Sequence, residues 1–154
     1  YKFGVGYKQI YTNGFVDDTT KAMGAPQQLN ALQFSYGLAK DFQVGAVFGF
    51  QRDFDAFMAG PSIRYDLQRL IYRDAFLWDY LNIFTQAAFL LKSGGDVKTG
   101  LTLHLPYIGF EIMPFKEVNF AIESSAGLTI DLLEKSALGF TNSMFGDVGL
   151  RFYF

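Results

Sequence analysis

Apolar and polar residues alternate with a period of two along most of this 154-residue chain. Successive side chains of a β-strand point to opposite faces, so the alternation predicts strands with one apolar and one polar face. Turn-forming residues interrupt the pattern and divide it into eight predicted strands. Their approximate ranges are 2–11, 29–39, 42–52, 57–67, 80–92, 99–113, 118–130 and a last strand that ends at 154.

The connections between the predicted strands alternate between the two ends of the sheet. Lys40 and Asp41 form a minimal turn, and a second short turn is predicted at 114–117. At the opposite end, a long loop is predicted at 12–28, short loops at 53–56 and 93–96, and a last loop at 131–142. Strands joined in this way are antiparallel neighbours, as in an up-and-down arrangement.

One connection, at 66–79, breaks the alternation because its apolar residues follow the spacing of one face of a helix. These residues are Leu67, Leu70, Ile71, Ala75 and Trp78. We predict a short helix in this segment. The alternative extends the fourth and fifth strands around a turn at Arg73 and Asp74.

Two prolines fall inside predicted strands, where proline cannot donate a backbone hydrogen bond to its neighbour. Pro61 predicts a local irregularity in the fourth strand. In the sixth strand the apolar face begins with Leu101, Leu103, Leu105 and Tyr107. Continuing that phase would also place Glu111 on the apolar face. A bulge near Pro106 corrects the phase, turning Glu111 to the polar face and Ile108, Phe110 and Ile112 to the apolar one.

The pattern predicts one all-β domain, residues 1–154, folded as an eight-stranded antiparallel up-and-down β-barrel. No run of about 18 apolar residues is present, which argues against a transmembrane helix. The net charge is −2 and cysteine is absent, so the composition indicates neither nucleic-acid binding nor disulfides. Half of the residues are hydrophobic, and their spread over alternate positions is typical of a transmembrane barrel.

Periodicity alone does not decide which face of the barrel is inside. A soluble lipocalin-like ligand binder needs apolar side chains inside, whereas a transmembrane barrel turns them toward lipid. The polar face of this chain carries many glycines. An eight-stranded barrel has room only for its own side chains, so small residues suit its interior. We therefore expect the polar face inside.

The most specific signal lies in the last nine residues, where apolar and polar positions alternate without interruption. Val148, Leu150, Phe152 and Phe154 share the apolar face with Met144, which lies just before this segment. The segment carries a polar residue at Asp147, a glycine at Gly149, an aromatic residue at Phe152 and a terminal aromatic residue at Phe154. The spacing of these four residues resembles the C-terminal insertion signal of bacterial outer-membrane β-barrels. The whole chain resembles the small eight-stranded members of that class, such as the transmembrane domain of outer membrane protein A.

This resemblance implies a porin-like membrane protein of the Gram-negative cell envelope, located in the bacterial outer membrane. The expected partners are outer-membrane lipid and lipopolysaccharide, with the barrel-assembly machinery acting during insertion. We expect a monomer that is not an enzyme, needs no cofactor and binds no nucleic acid. Its expected role is structural, or concerns interactions at the cell surface.

Charged residues of the polar face are predicted to form a network in the lumen, because buried charges persist only when they are paired. The predicted members are Lys8, Arg64, Asp66, Glu111, Glu123, Asp147 and Arg151. We expect Lys8 and Asp147 to lie nearer mid-barrel than the other five. A paired network of this kind would plug the barrel. The alternative is a network that rearranges, which would make the protein a narrow pore or a carrier for small molecules.

His104 is the only histidine in the chain. In small barrel enzymes that act on lipid A, a catalytic histidine works with a serine, and the deacylase pattern places the serine two residues later. Pro106 occupies that position here, so a lipid-modifying enzyme is disfavoured. A metal site is also disfavoured, because no second histidine and no cysteine is available as a ligand.

Overall fold

The computed structural model describes residues 3–12, 27–50, 56–71, 79–94, 97–115, 117–132, 137–140 and 147–154. Within these ranges the chain forms nine β-strands and one helix. In chain order they are β1 Phe3–Thr12, β2 Gln27–Ala39, β3 Phe42–Phe50, β4 Ala56–Asp66, α1 Gln68–Ile71, β5 Leu81–Gly94, β6 Val97–Ile112, β7 Phe120–Leu132, β8 Ala137–Phe140 and β9 Asp147–Tyr153.

Eight of these strands form a closed antiparallel barrel, which confirms the predicted fold class. Consecutive strands pair from β1 to β7, and β9 pairs with both β7 and β1, which completes the ring. Closure leaves no free edge between the first and last strands. At the start of β1, the carbonyl of Phe3 accepts a hydrogen bond from the amide of Phe154 at 2.8 Å.

The two ends of the barrel differ in their connections. We call the end that holds Phe3 and Phe154 the terminal end, and the opposite end the loop end. The terminal end carries the turn at Lys40 and Asp41, as predicted, and the connection at 113–119. Most of the predicted loops 12–28, 53–56, 93–96 and 131–142 lie outside the described residues, as do Met144 and the turn at Arg73 and Asp74.

The predicted helix near 66–79 is present but short, at Gln68–Ile71. It begins immediately after β4, where the amide of Leu67 donates to the carbonyl of Ile83 at 2.6 Å. Arg69 holds the helix to the neighbouring turn, since its Nε lies 3.2 Å from Asp41 Oδ1. In the part of the chain that the structure describes, no helix is long and apolar enough to cross a lipid bilayer.

A bulge in β6 changes the phase of that strand, as the position of Glu111 predicted. The register with both β5 and β7 shifts between His104 and Ile108. Beyond the bulge Glu111 is buried, while Ile108, Phe110 and Ile112 are exposed. Tyr107 was predicted on the apolar outer face, but it is buried inside, because the phase changes before Tyr107 and not after it.

Pro61 produces an irregularity that is confined to one side of β4. The ladder with β3 is continuous through the pair of Ala46 and Pro61. The ladder with β5 has no pair at Gly60 or Pro61, yet its register is the same before and after this gap. The missing N–H of proline therefore interrupts pairing without bending the strand out of the barrel.

At the loop end the strands reach further than the alternation predicted. β5 continues to Gly94 and β7 to Leu132, into segments predicted as loops. β8 lies inside the predicted loop 131–142 and pairs with β7 beyond the end of β9, outside the eight-stranded ring. A loop inferred from weak alternation is thus partly an extension of the sheet.

Candidate functional site in the barrel interior

The interior of the barrel is divided into two halves of different chemistry. The half toward the terminal end contains most of the buried charged groups. The half toward the loop end contains a cluster of buried apolar side chains, which we call the apolar layer. Its members are Ile10, Leu29, Ala31, Val47, Met58, Ala88 and Leu90.

Arg64 is the centre of the charged half. Its Nη2 donates to Glu111 Oε2 at 2.6 Å, and its Nε donates to Asp66 Oδ1 at 3.0 Å. Its Nη1 donates to Glu123 Oε2 at 3.3 Å. Three carboxylates on three strands thus share one guanidinium that is 2% exposed. The planar fork of arginine suits this arrangement, because it directs its donors in several fixed directions.

A second arginine balances part of the remaining negative charge. Arg151 Nη2 lies 3.0 Å from Glu123 Oε2, so Glu123 stands between the two guanidinium groups. Two neutral side chains complete the cluster. Asn82 donates to Asp66 Oδ1 at 2.8 Å and to Glu111 Oε2 at 3.2 Å, and the Tyr153 hydroxyl donates to Glu111 Oε1. Hydrogen bonds of this kind lower the cost of holding carboxylates away from water.

The structure divides the members of the predicted charge network into two groups at different depths. Five of its members, Arg64, Asp66, Glu111, Glu123 and Arg151, form the cluster near the terminal end. Lys8 and Asp147 form a separate pair nearer mid-barrel, where Nζ lies 3.8 Å from Oδ2. Lys92 is not among the predicted members of this network, but the alternation of its strand predicts it on the polar face, and it is fully buried.

Glycines make room for these charged groups. A side chain at Gly149 would come within 2.5 Å of the Lys8 Cβ, so glycine is needed for Lys8 to turn inward. A side chain at Gly109 would collide with the ring of Phe84. That ring in turn packs 3.8 Å from the guanidinium carbon of Arg64. The abundance of glycine on the polar face is thus a packing requirement of the charged interior.

The apolar layer is predicted only in part, because the alternation places Val47 and Met58 on the inward face but polar residues identify that face elsewhere. Ile10 and Leu29 are register partners near the loop end, and both are buried. Met58 and Leu90 fill the same half from β4 and β5. Ile10 lies two residues after Lys8, and Leu90 lies two residues before Lys92. Since residues two apart in a strand share a face, the inward position of each lysine indicates that its apolar neighbour also points inward.

A small cavity lies between the apolar layer and the charged half. Its volume is about 10 Å³, and its polar lining includes Lys8, Gln86, His104 and Asp147. His104 is 4% exposed, and its ring centroid lies 4.9 Å from that of Tyr107. The described residues contain no group of three or more histidine, aspartate or glutamate side chains arranged to hold a metal ion.

The residues of the C-terminal pattern divide between the two faces of β9. Asp147 and Gly149 are buried in the interior. Phe152 is exposed on the outer face, with its ring centroid 5.2 Å from that of Phe120. Phe154 is 70% exposed beside Phe3. The two aromatic positions of the pattern thus belong to the outer surface of the barrel.

Comparisons with known proteins do not add to this description. No family model, no curated protein and no solved structure matches the chain significantly.

Proposed function

We propose that this protein is an integral outer-membrane barrel with a closed lumen, which serves a structural or surface-interaction role and not an enzymatic one. The observation that carries the proposal is the distribution of charge. Strand residues of described exposure include eight charged side chains, and all eight are buried inside the barrel. They are Lys8, Arg64, Asp66, Lys92, Glu111, Glu123, Asp147 and Arg151.

The outer face of the described strand residues is mostly apolar. Large hydrophobic side chains are exposed on β1 to β7 and on β9, among them Tyr7, Phe34, Phe48, Ile63, Leu91, Ile108, Ile122 and Leu150. A water-soluble barrel has the opposite arrangement, with charges outside and apolar groups inside. Lipid is the solvent that suits this surface, and the closed ring pairs the backbone groups that lipid could not satisfy.

The filled interior supports a closed lumen. One half is occupied by ion pairs and the other by the apolar layer, and the cavity between them has a volume of only about 10 Å³. Hydrated ions need a continuous polar path, and an apolar constriction opposes them by excluding water. A pore or carrier would therefore require both halves to rearrange.

The apolar surface and the C-terminal pattern support the proposed location and partners. Lipid and lipopolysaccharide would contact the apolar face, and the exposed Phe152 and Phe154 would be available to the barrel-assembly machinery. The expected state is a monomer in the bacterial outer membrane. This part of the proposal rests on the resemblance of the C-terminal residues and on their exposure.

Gel mobility tests the membrane proposal. The chain refolded in detergent is expected to migrate differently before and after heating, as a detergent-resistant barrel does. In cells, Phe154→Ala should slow assembly, because Phe154 belongs to the C-terminal pattern. Phe115→Ala is the matched control, since Phe115 is 63% exposed in a turn outside that pattern. A folded monomer that stays soluble without detergent would contradict the proposal.

Planar bilayer recordings test whether the lumen is closed. The inserted protein is expected to give no steady conductance. Arg64→Met should also stay closed, because the apolar layer still fills the loop half of the barrel. Stable and reproducible conductance steps from the unaltered protein would favour the narrow pore instead.

A further inference from the structure

We propose that the mid-barrel cavity is a binding site for one internal water molecule, held by His104 and by the pair of Lys8 and Asp147. The volume of about 10 Å³ is close to the smallest that admits a water molecule. A cavity of this size that is lined only by apolar groups would stay dry. This one is lined by Lys8, Gln86, His104 and Asp147 as well as by parts of the apolar layer.

His104 supplies the first reason to place a water molecule there. Its ring is 4% exposed and lines the cavity, and its Nε2 has no hydrogen-bond partner among the described residues. A buried polar nitrogen without a partner is costly, and buried water commonly satisfies such groups. In one tautomer of the neutral ring Nε2 can accept a hydrogen bond from a water molecule in the cavity, and in the other tautomer it can donate one to that molecule.

The geometry of the neighbouring ion pair supplies a second, independent reason. Lys8 Nζ lies 3.8 Å from Asp147 Oδ2, which is a longer separation than a direct hydrogen bond. Water often bridges polar groups at such separations. One water molecule that accepts a hydrogen bond from Lys8 and donates one to Asp147 would bridge the two side chains. With His104 it would have three partners, the usual number for a buried water molecule.

Other occupants fit the cavity less well. A metal ion would find one histidine, His104, and one carboxylate, Asp147, in the lining, and Lys8 would repel it. An organic ligand is too large. The apolar layer closes the loop side and the Arg64 cluster occupies the terminal half, so the bound water would exchange slowly with the solvent. This inference concerns the interior alone and holds whether or not the barrel lies in a membrane.

Magnetic relaxation dispersion of isotopically labelled water counts long-lived internal water molecules, and it can be applied to the protein in detergent micelles. Ala88 lines the cavity, and Ala88→Val should fill it and remove one long-lived water molecule from the count. Ala31→Val is the matched control: Ala31 is also buried in the apolar layer but does not line the cavity. That variant should keep the count of the unaltered protein.

Equal counts for the Ala88→Val variant and the unaltered protein would overturn the inference. A crystal structure of the unaltered protein provides a second measurement that does not depend on either variant folding. Electron density within hydrogen-bonding distance of His104 Nε2, and of Lys8 or Asp147, would support the water site. A cavity without density, or density with the short contacts of a coordinated ion, would refute it.

Discussion

Replacing Arg64 with methionine is expected to lower the free energy of unfolding by about 3 to 5 kcal/mol. Methionine has a similar length and tolerates irregular surroundings, so the loss comes mainly from charge and not from a cavity. Three carboxylates, from Asp66, Glu111 and Glu123, now share the buried guanidinium. Without it, they remain in a closed interior with Arg151 as the only other guanidinium in the cluster.

Denaturant titration of the detergent-refolded protein measures this loss. Arg69→Met is the matched control, because Arg69 also pairs with a carboxylate but its side chain is 31% exposed outside the barrel. An exposed pair contributes about 0 to 1 kcal/mol, so the control should be nearly as stable as the unaltered protein. Equal losses in the two variants would show that the Arg64 cluster is not a buried, interdependent unit.

A double variant separates the charge effect from packing. Adding Glu111→Gln to Arg64→Met removes the carboxylate closest to the missing guanidinium and should restore part of the stability. In the unaltered background Glu111→Gln should be destabilising, because it removes the partner of Arg64 at 2.6 Å. If the two substitutions were simply additive, the ion pair would not be the source of the loss.

Where a strand has one charged and one apolar face, its orientation could be predicted from the sequence alone. β6 is the clearest case. The cost of placing Glu111 on an apolar face required a change of phase, and the bulge lies where Pro106 indicated it. The prediction failed only for Tyr107, because charge fixes the phase at Glu111 but not the residue at which the phase changes.

The loop half of the interior could not be predicted in the same way. Near Ile10, Leu29 and Leu90 both faces of the strands include apolar residues, so the period of two carries little information about which face is inside. Lys92 also lies in this half, on the face that the alternation places inside, although it is not among the predicted members of the charge network. The partners of the Arg64 cluster also depend on strand register. Asn82 lies directly across from Glu111 in the ladder between β5 and β6, and no local pattern in the sequence reveals that pairing.

A lysine on the outer face distinguishes lipid from water as the surroundings of the barrel. Ile63→Lys is expected to destabilise the protein by about 2 to 4 kcal/mol in phospholipid vesicles, because a charge would enter the hydrocarbon region. Ile63 is 51% exposed and lies two residues from the middle of β4, so the substitution breaks no interior contact network. On a water-exposed surface the same change would alter stability by only about 0.5 kcal/mol.

Val118→Lys is the matched control for this measurement. Val118 is also β-branched and 51% exposed, but it lies in the connection between β6 and β7 at the terminal end. A lysine there can reach water, so its cost should be at most about 1 kcal/mol. Unfolding free energies of both variants in vesicles therefore test the environment and not the residue type. Similar, small losses at the two positions would place water against β4, and the charged interior would then belong to a soluble barrel.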